Sequence, residues 1–448
     1  MRLSDLAGRR ILILGTGREA NAAADSLIGF AHSIIAADDN DGTTAQAWRE
    51  HWGDRIPLLI APEVNAVTGV DVVLKSPGIS ILNPRVVMLK AEGIAFTSGT
   101  DLWMSDHRAA TTAVTGSKGK STTASLIHHL TVELGGHAAL GGNIGIPLLS
   151  LGEAERYVVE LSSHQTESLT TSPDIAVLTS LFPEHLDWHG SEDAYYRDKL
   201  NLVANGPRVV IVNGEDDRLL RTLAWLHPTL PLEKVGNGEV WHLDGDWISR
   251  GDDHIIDRHD LQLLGRHNAL NCCLALAALE AAGTPIDFEV AGRALAEFRP
   301  LEHRLEQIRD ASGLIFVNDS LSTSPYAAIA ALEALESPNT TLLVGGLDRG
   351  VDYTPLAEYL AAHPIAALVG LPPSGEHILE VVKSAGIRSE VATDMDDAVT
   401  LARKLTPAGG YVVLSPAAPS YGIYRDFADR AADFRRAIDA TSQRTNEN

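Results

Sequence analysis

Cysteine is nearly missing from this chain: there are two in 448 residues, and they are neighbours, Cys272 and Cys273, inside the apolar stretch ALNCCLALAALEAAG. Adjacent cysteines on one helix project in different directions, so a disulfide framework is excluded and both are expected as small core residues. Cations are in deficit too. With 36 Lys and Arg against 59 Asp and Glu the formal charge is −23, which excludes a nucleic-acid or anionic-lipid surface, because either partner needs clustered cations facing phosphate. No run of about 18 apolar residues occurs, and the opening MRLSDLAGRRILILG has no apolar core followed by a small-residue cleavage site, so neither a membrane span nor an export signal is expected. The expected location is the cytoplasm.

What the chain does have is the composition of a folded protein, 45% hydrophobic and 21% charged, at a length that exceeds one hydrophobic core and suggests three domains. Short apolar strands ending in small or polar residues alternate with helical stretches throughout, the rhythm of a parallel α/β fold. Residues 1–95 read as a nucleotide-binding unit: RRILILGTGREANAAADSL is strand, glycine turn and helix, followed by strands at SIIAADD and VDVVLKSPGI. Residues 96–298 hold strands at TTAVTG, RYVVELSS, IAVLTSL and RVVIVNG and a helix at 268–282, and residues 299–448 hold LIFVNDS, TTLLVGG, AALVGL and GYVVLSPA. No repeat of fixed period is present, and only the polar tail TSQRTNEN is expected to lack order.

The stretch AVTGSKGKSTT, residues 113–123, is a phosphate cradle with one departure: a full Walker A pattern would place glycine at Val114. The rest of the cradle is present. Gly116, Ser117, Lys118 and Gly119 turn backbone N–H groups inward, Lys120 brings a cation to the β/γ oxygens, and a helix starting near Ser121 adds its N-terminal dipole. Ser121 or Thr122 can reach Mg²⁺; the competing reading is a glycine turn with an exposed lysine. Glu160, ending the next apolar strand, reads equally as a solvated carboxylate or a Mg²⁺ ligand. The segment TSLFPEHLDWHGSEDAYYRDK crowds His185, five acids and Lys199 together, although an isolated histidine is more often structural than a ligand. GTGREA resembles a dinucleotide fingerprint followed by Asp38 and Asp39. That raises an NAD-dependent oxidoreductase as a rival, one with no use for the ATP-type loop. Arg304 alone reads as surface charge or ligand contact.

In order, SPGI (76–79), TGSKGKST (115–122), GGNIG (141–145), ELSS (160–163), EHLDWHGS (184–191), Lys199, GRHNALN (265–271), EHR (302–304), NDS (318–320), LVGG (343–346) and LSPAAPS (414–420) resemble the Mur ligases, over nearly the whole chain. These are amide-forming enzymes of peptidoglycan precursor synthesis, and the likeness is strongest to the glutamate-adding member. The resemblance implies three domains: a Rossmann-like UDP-binding domain, a central P-loop ATPase-like domain and a Rossmann-like C-terminal domain. It implies that ATP phosphorylates the carboxylate of UDP-N-acetylmuramoyl-L-alanine and that glutamate's amine attacks the acyl phosphate. It gives Lys120 to the ATP phosphates, Ser121, Thr122, Glu160 and His185 to two Mg²⁺ ions, and Lys199 to a carbamylated lysine supporting the metal. Asn268, Asn271, Arg304 and Asp319 fall on the ATP side. Gly15, Thr16, Gly17, Arg18, Asp38, Ser76, Pro77, Gly78 and Asn143 fall where the UDP-substrate is held. Leu321, Thr323, Arg349, Ser420, Tyr421 and Phe427 fall where glutamate is held.

The departures from the family's pattern cluster. Enzymes adding D-glutamate usually carry lysine where this chain has Leu321 and Arg349, and leucine where it has Tyr421; the loop carries Lys118 where asparagine is usual. One cation lost and another exchanged for a bidentate Arg349 implies a rebuilt carboxylate site, similar to the variant subfamily that adds L-glutamate. A D-glutamate ligase, a folylpolyglutamate-synthase-like ligase and a non-catalytic nucleotide sensor are the alternatives. The partners expected are small molecules only, acting on a monomer, with no nucleic acid and no membrane.

Overall fold

A computed structural model describes residues 1–61, 69–236 and 238–445. The chain forms two compact units, Met1–Asp260 with Leu270–Ala296, and Leu261–Ala269 with Glu297–Asn448. The class is α/β, as the alternation of strand and helix signals implies.

The first unit holds two parallel sheets and one small antiparallel sheet. Five parallel strands stand in the order Leu58–Ile60, Ser33–Asp38, Arg10–Leu14, Val72–Lys75, Ala95–Thr97. Ile11 to Leu14 are buried without alternation because helices cover both faces of the sheet. Helix Arg18–Leu27 lays Ala20, Ala23, Ala24 and Leu27 against it, and Trp48 and Trp52 come from helix Thr43–Trp52. Six parallel strands form the second sheet, in the order Glu233–Val235, Val209–Asn213, Ile175–Leu178, Thr111–Thr115, Arg156–Glu160, Ala138–Gly142. Strand Thr111–Thr115 is central. The chain leaves it through helix Lys120–Glu133 to one side and later returns to pair Ile175–Leu178 on the other. That reversal opens a crevice at the strands' carboxyl ends, where open α/β sheets bind ligands.

Strands Trp241–Asp244, Trp247–Arg250 and Asp253–Asp257 make an antiparallel meander that the sequence reading passed over. Cys272 and Cys273 are both buried and in no disulfide among the described residues, and burial pushes the Cys272 thiol up to about 12.

The second unit is built on strands in the order Glu306–Arg309, Ile315–Asn318, Tyr411–Leu414, Thr340–Val344, Ala367–Gly370, Ser389–Val391; the first is antiparallel and the rest parallel. The tail corrects an expectation: TSQRTNEN does not begin a disordered end, because helix Phe427–Thr445 runs through its first five residues. Thr441 is buried and accepts a hydrogen bond from Arg403 Nε at 2.9 Å, which holds this last turn in place. Residues 446–448 lie outside the described residues. Among the described residues, no helix is long and apolar enough to cross a membrane.

Candidate active site

Strand register explains why Val114 stands where a Walker glycine would: it is fully buried inside strand Thr111–Thr115, paired with Glu160 on one side and Val177 on the other. The turn begins at Gly116 instead. Gly116 has φ +150°, and a Cβ there would sit 2.9 Å from Ser180 N; Gly119 has φ +86°, and a Cβ there would come within 2.8 Å of Asn271 Oδ1. Both positions therefore need glycine, and the loop is braced from behind. Ser117 N donates to Ser180 O at 2.8 Å, Lys118 N to Ser180 Oγ at 2.9 Å, and Thr179 Oγ1 to Lys118 O. Ser117 Oγ lies 2.8 Å from the Tyr195 hydroxyl.

Lys120 Nζ curls back onto its own loop, donating to Gly116 O at 2.8 Å and Ser117 O at 2.9 Å. Lys199 Nζ donates to the same Gly116 O at 2.9 Å, so the two expected lysines meet on one carbonyl. Burial and then the Lys120 charge hold the Lys199 amine well below the usual ammonium value, with Glu184 and Glu160 pulling the other way. The added cation, Lys118, is answered by Glu184 at 3.9 Å. Burial opposes the Glu184 charge, but Lys118 and Lys120 outweigh it and leave the carboxyl below its ordinary value.

Glu160 is fully buried at the end of the neighbouring strand. Its Oε1 accepts from Asn143 Nδ2 at 2.8 Å, while Oε2 is buried with no hydrogen-bond partner among the described residues. An orphaned carboxylate oxygen beside a phosphate cradle fits a hard cation. Among the described residues, no group of three or more His, Cys, Asp or Glu side chains is arranged to hold a metal by itself. Mg²⁺ asks for less, one or two carboxylates with phosphate oxygens and water supplying the rest, so Glu160, Ser121 and Thr122 suit it.

His185 has φ +54° and opens the short helix Leu186–His189. A non-glycine residue held there is strained in the manner common at functional sites. Desolvation keeps its pKa below the usual imidazole value, against the pull of Glu184. Its ring lies 4.8 Å from that of His164, which in turn packs on Trp188 and His189. His189 is anchored to Asp198 at 2.6 Å and Ser163 Oγ at 3.0 Å. Glu184 and Trp188 lie in the EHLDWHGS motif and His164 directly after ELSS, and the motifs assign none of the three a role. The one signal for Glu184 was the unusual Lys118, a cation in want of a partner.

The residues expected to hold the UDP-substrate line up at three adjacent strand ends, Gly15–Arg18 after Arg10–Leu14, Asp38 at the end of Ser33–Asp38, and Ser76–Gly78 after Val72–Lys75. Thr16 Oγ1 donates to Asp38 Oδ2 at 2.7 Å. Gly15 has φ +98°, and a Cβ there would lie 2.8 Å from Ser76 Oγ, itself buried with no hydrogen-bond partner among the described residues. Arg18 donates to Gly145 O at 3.1 Å, reaching the loop that carries Asn143. Asn143 sits against Glu160 rather than among the strand ends of the first sheet.

In the second unit, Asn268 Nδ2 donates to Leu264 O at 2.7 Å, and Asp319 Oδ2 accepts from Ser415 Oγ at 2.8 Å. Arg304 follows the positive-φ residue His303. The loops bearing Leu321 and Thr323, Arg349, and Ser420 and Tyr421 leave three neighbouring strands, Ile315–Asn318, Thr340–Val344 and Tyr411–Leu414. Of the six residues assigned to glutamate, Ser420 alone lines a cavity of about 180 Å³, with Gly345, Gly346, Tyr424 and Arg430. Arg349, Tyr421 and Phe427 are exposed.

Residues 114–279 match the family described as Mur ligase middle domain, and residues 303–418 that described as Mur ligase, glutamate ligase domain. A UDP-N-acetylmuramoyl-L-alanine–L-glutamate ligase from Micromonospora sp. is 45% identical, covering 99% of both chains. A protein of the same name from Xanthomonas euvesicatoria pv. vesicatoria is 37% identical over 97% of this chain and 96% of its own. The fold is shared with MurF from Acinetobacter baumannii (TM-score 0.63, 16% identity, 97% of this chain and 91% of that one). It is shared equally with UDP-N-acetylmuramate-alanine ligase MurC from Thermotoga maritima (TM-score 0.59, 18% identity, 97% and 100%).

Proposed function

We propose, from the fact that this chain belongs to the Mur ligase family, that it joins L-glutamate to UDP-N-acetylmuramoyl-L-alanine at the expense of ATP, in the making of a peptidoglycan precursor. The carrying observation is the 45% identity over 99% of the chain to a relative named for that reaction. The site's chemistry agrees with it. A carboxylate is a poor electrophile because its leaving group would be oxide; phosphorylated, it loses phosphate readily when an amine attacks. The γ-phosphoryl group passes from ATP to the carboxylate, the amine of glutamate adds to the acyl carbon, and the amide, ADP and phosphate leave.

Gly116, Ser117, Lys118, Gly119 and Lys120 cradle the triphosphate, with Lys120 leaving its two loop carbonyls for phosphate oxygens; Asn268, Asn271, Arg304 and Asp319 are assigned to the rest of ATP. Ser121, Thr122, Glu160 and His185 would hold two Mg²⁺ ions, which when bound neutralise charge on the phosphoryl group in transfer. Burial and the Lys120 charge depress the Lys199 amine and so favour the neutral form, the one that adds carbon dioxide, which supports its assignment as a carbamylated lysine. Gly15–Arg18, Asp38, Ser76–Gly78 and Asn143 are assigned to the UDP-substrate, and Leu321, Thr323, Arg349, Ser420, Tyr421 and Phe427 to glutamate. Residues 1–95, 96–298 and 299–448 are taken as the three domains of a cytoplasmic monomer whose partners are these small molecules, with neither nucleic acid nor membrane.

Purified protein given ATP, Mg²⁺ and the UDP-substrate should release ADP only when glutamate is also present, faster with the L than the D enantiomer. ADP release equally fast without the UDP-substrate would refute the ligase reading. Faster product formation from D-glutamate would refute the stereochemistry alone.

A further inference from the structure

Arg430, in helix Phe427–Thr445, is 2% exposed and makes no ion pair among the described residues. Burial lowers its pKa to about 10. Its donors go instead to loop oxygens. Nε reaches Ser320 Oγ at 3.1 Å and Nη2 reaches Ser320 O at 2.8 Å; Nη1 reaches Ala418 O at 3.0 Å and Gly345 O at 3.4 Å. Ser320 Oγ closes the circuit by donating to Phe427 O at 2.9 Å.

Those acceptors belong to three different loops, following strands Ile315–Asn318, Tyr411–Leu414 and Thr340–Val344, and the loops also touch one another: Gly345 N donates to Pro416 O and Leu347 N to Pro419 O, each at 2.8 Å. The guanidinium approaches so closely that a Cβ on Gly346 would stand 3.0 Å from Nη1. A buried cation with no ion-pair partner among the described residues is costly, even with the Asp319 charge near enough to favour it, and an apolar side chain of like volume would hold a simple core with less penalty. What an apolar chain cannot do is fix three carbonyls at set angles, which a planar fork of donors does.

We propose that Arg430 is a positioning residue for the amino-acid substrate: its fork sets the spacing of the loops that carry Thr323, Arg349 and Ser420, and with it the site for the two carboxylates of glutamate. This rests on the assignment of glutamate to those loops.

The test is steady-state kinetics on the full chain with each substrate varied, for Arg430→Lys, Arg430→Gln and Arg430→Ala, with thermal melts confirming the fold. Arg430→Lys keeps a cation but loses the fork. It should raise KM for L-glutamate about tenfold or more, as expected for losing a charged hydrogen bond, with far smaller changes in KM for ATP and the UDP-substrate. Added guanidinium ion should restore part of the glutamate affinity of Arg430→Ala and do nothing for the parent protein. Arg436→Ala, which breaks surface pairs with Asp433 on the same helix and with Asp396 on helix Met395–Leu405, should behave as the parent.

An unchanged KM for L-glutamate in Arg430→Lys, or equal rises for all three substrates, would overturn the inference. So would failure of all three variants to fold, since the role would then be structural. If the parent protein itself makes no amide from glutamate, it is the proposed function that fails.

Discussion

The indole N–H of Trp188 donates to the carbonyl oxygen of Gly78 across 3.2 Å, and Ser80 Oγ donates back to Trp188 O at 2.9 Å. The loop assigned to the UDP-substrate is thereby fastened to the segment that presents His185. Trp188→Phe keeps the ring and loses the donor, a net ~0.5–1.5 kcal/mol. KM for the UDP-substrate should rise about twofold to tenfold on that account, with KM for ATP unmoved; equal changes in both would break the proposed link.

Lys120→Ala should lower turnover by about a hundredfold or more, the scale for losing one preorganised electrostatic contact to a reacting group. Calorimetry should show binding of the UDP-substrate largely unchanged, because Lys120 donates to Gly116 O and Ser117 O of its own loop. Normal turnover in this variant would remove the loop from the mechanism.

Glu160→Gln discharges a fully buried carboxylate whose Oε2 has no hydrogen-bond partner among the described residues. Metal-free protein should melt no lower than the parent, since an uncompensated buried charge is itself destabilising, while the rise in melting temperature on adding Mg²⁺ and ATP should be largely lost. A sharp drop in the metal-free melting point with the Mg²⁺ response intact would make Glu160 structural.

Arg349→Ala should raise KM for L-glutamate about tenfold or more by removing a charge-assisted contact. Arg349→Lys should recover only part, because a point charge does not replace a planar fork. Full recovery by lysine, read from initial rates, would mean that charge alone is sensed there.

Burial holds the His267 imidazole down to about 4, against an ordinary value of 6.5. Above pH 6.5 neither the folded nor the unfolded chain protonates this ring; between 6.5 and 4 the unfolded chain takes a proton that the folded one refuses. Stability should therefore fall as pH falls through that window, by up to about 2 kcal/mol between pH 6.5 and 5. Urea unfolding at the two pH values should show a smaller loss in His267→Gln, and an equal loss would place the acid sensitivity elsewhere.

The sequence made the parallel sheets readable because their strands are short apolar runs buried on both faces, and each of the strands quoted from the sequence is present. The meander at Trp241–Asp257 was harder: His242, Asp244, His254 and Asp257 dilute its apolar alternation, although Asp244-Gly245 between two such runs is a hairpin signal that deserved use. Lys120 and Glu160 could be named because each sits at or near a strand end, and Lys199, inside helix Glu192–Leu200, from the family resemblance alone. Glu184, Trp188 and Arg430 could not. Their partners lie 66, 110 and as many as 110 residues away, and in ADRAADFRRAID one buried arginine looks like its exposed neighbours.

Lys120 resting on Gly116 O and Ser117 O bears finally on turnover. When ADP departs, a lysine with nowhere to go would be left as a desolvated, unmatched cation, and that penalty would hold the product in place. Under the proposed assignment of this loop to ATP, the ammonium has two oxygens waiting in its own loop, so product departure would be an exchange of one set of acceptors for another, and the cradle would keep its shape for the next nucleotide.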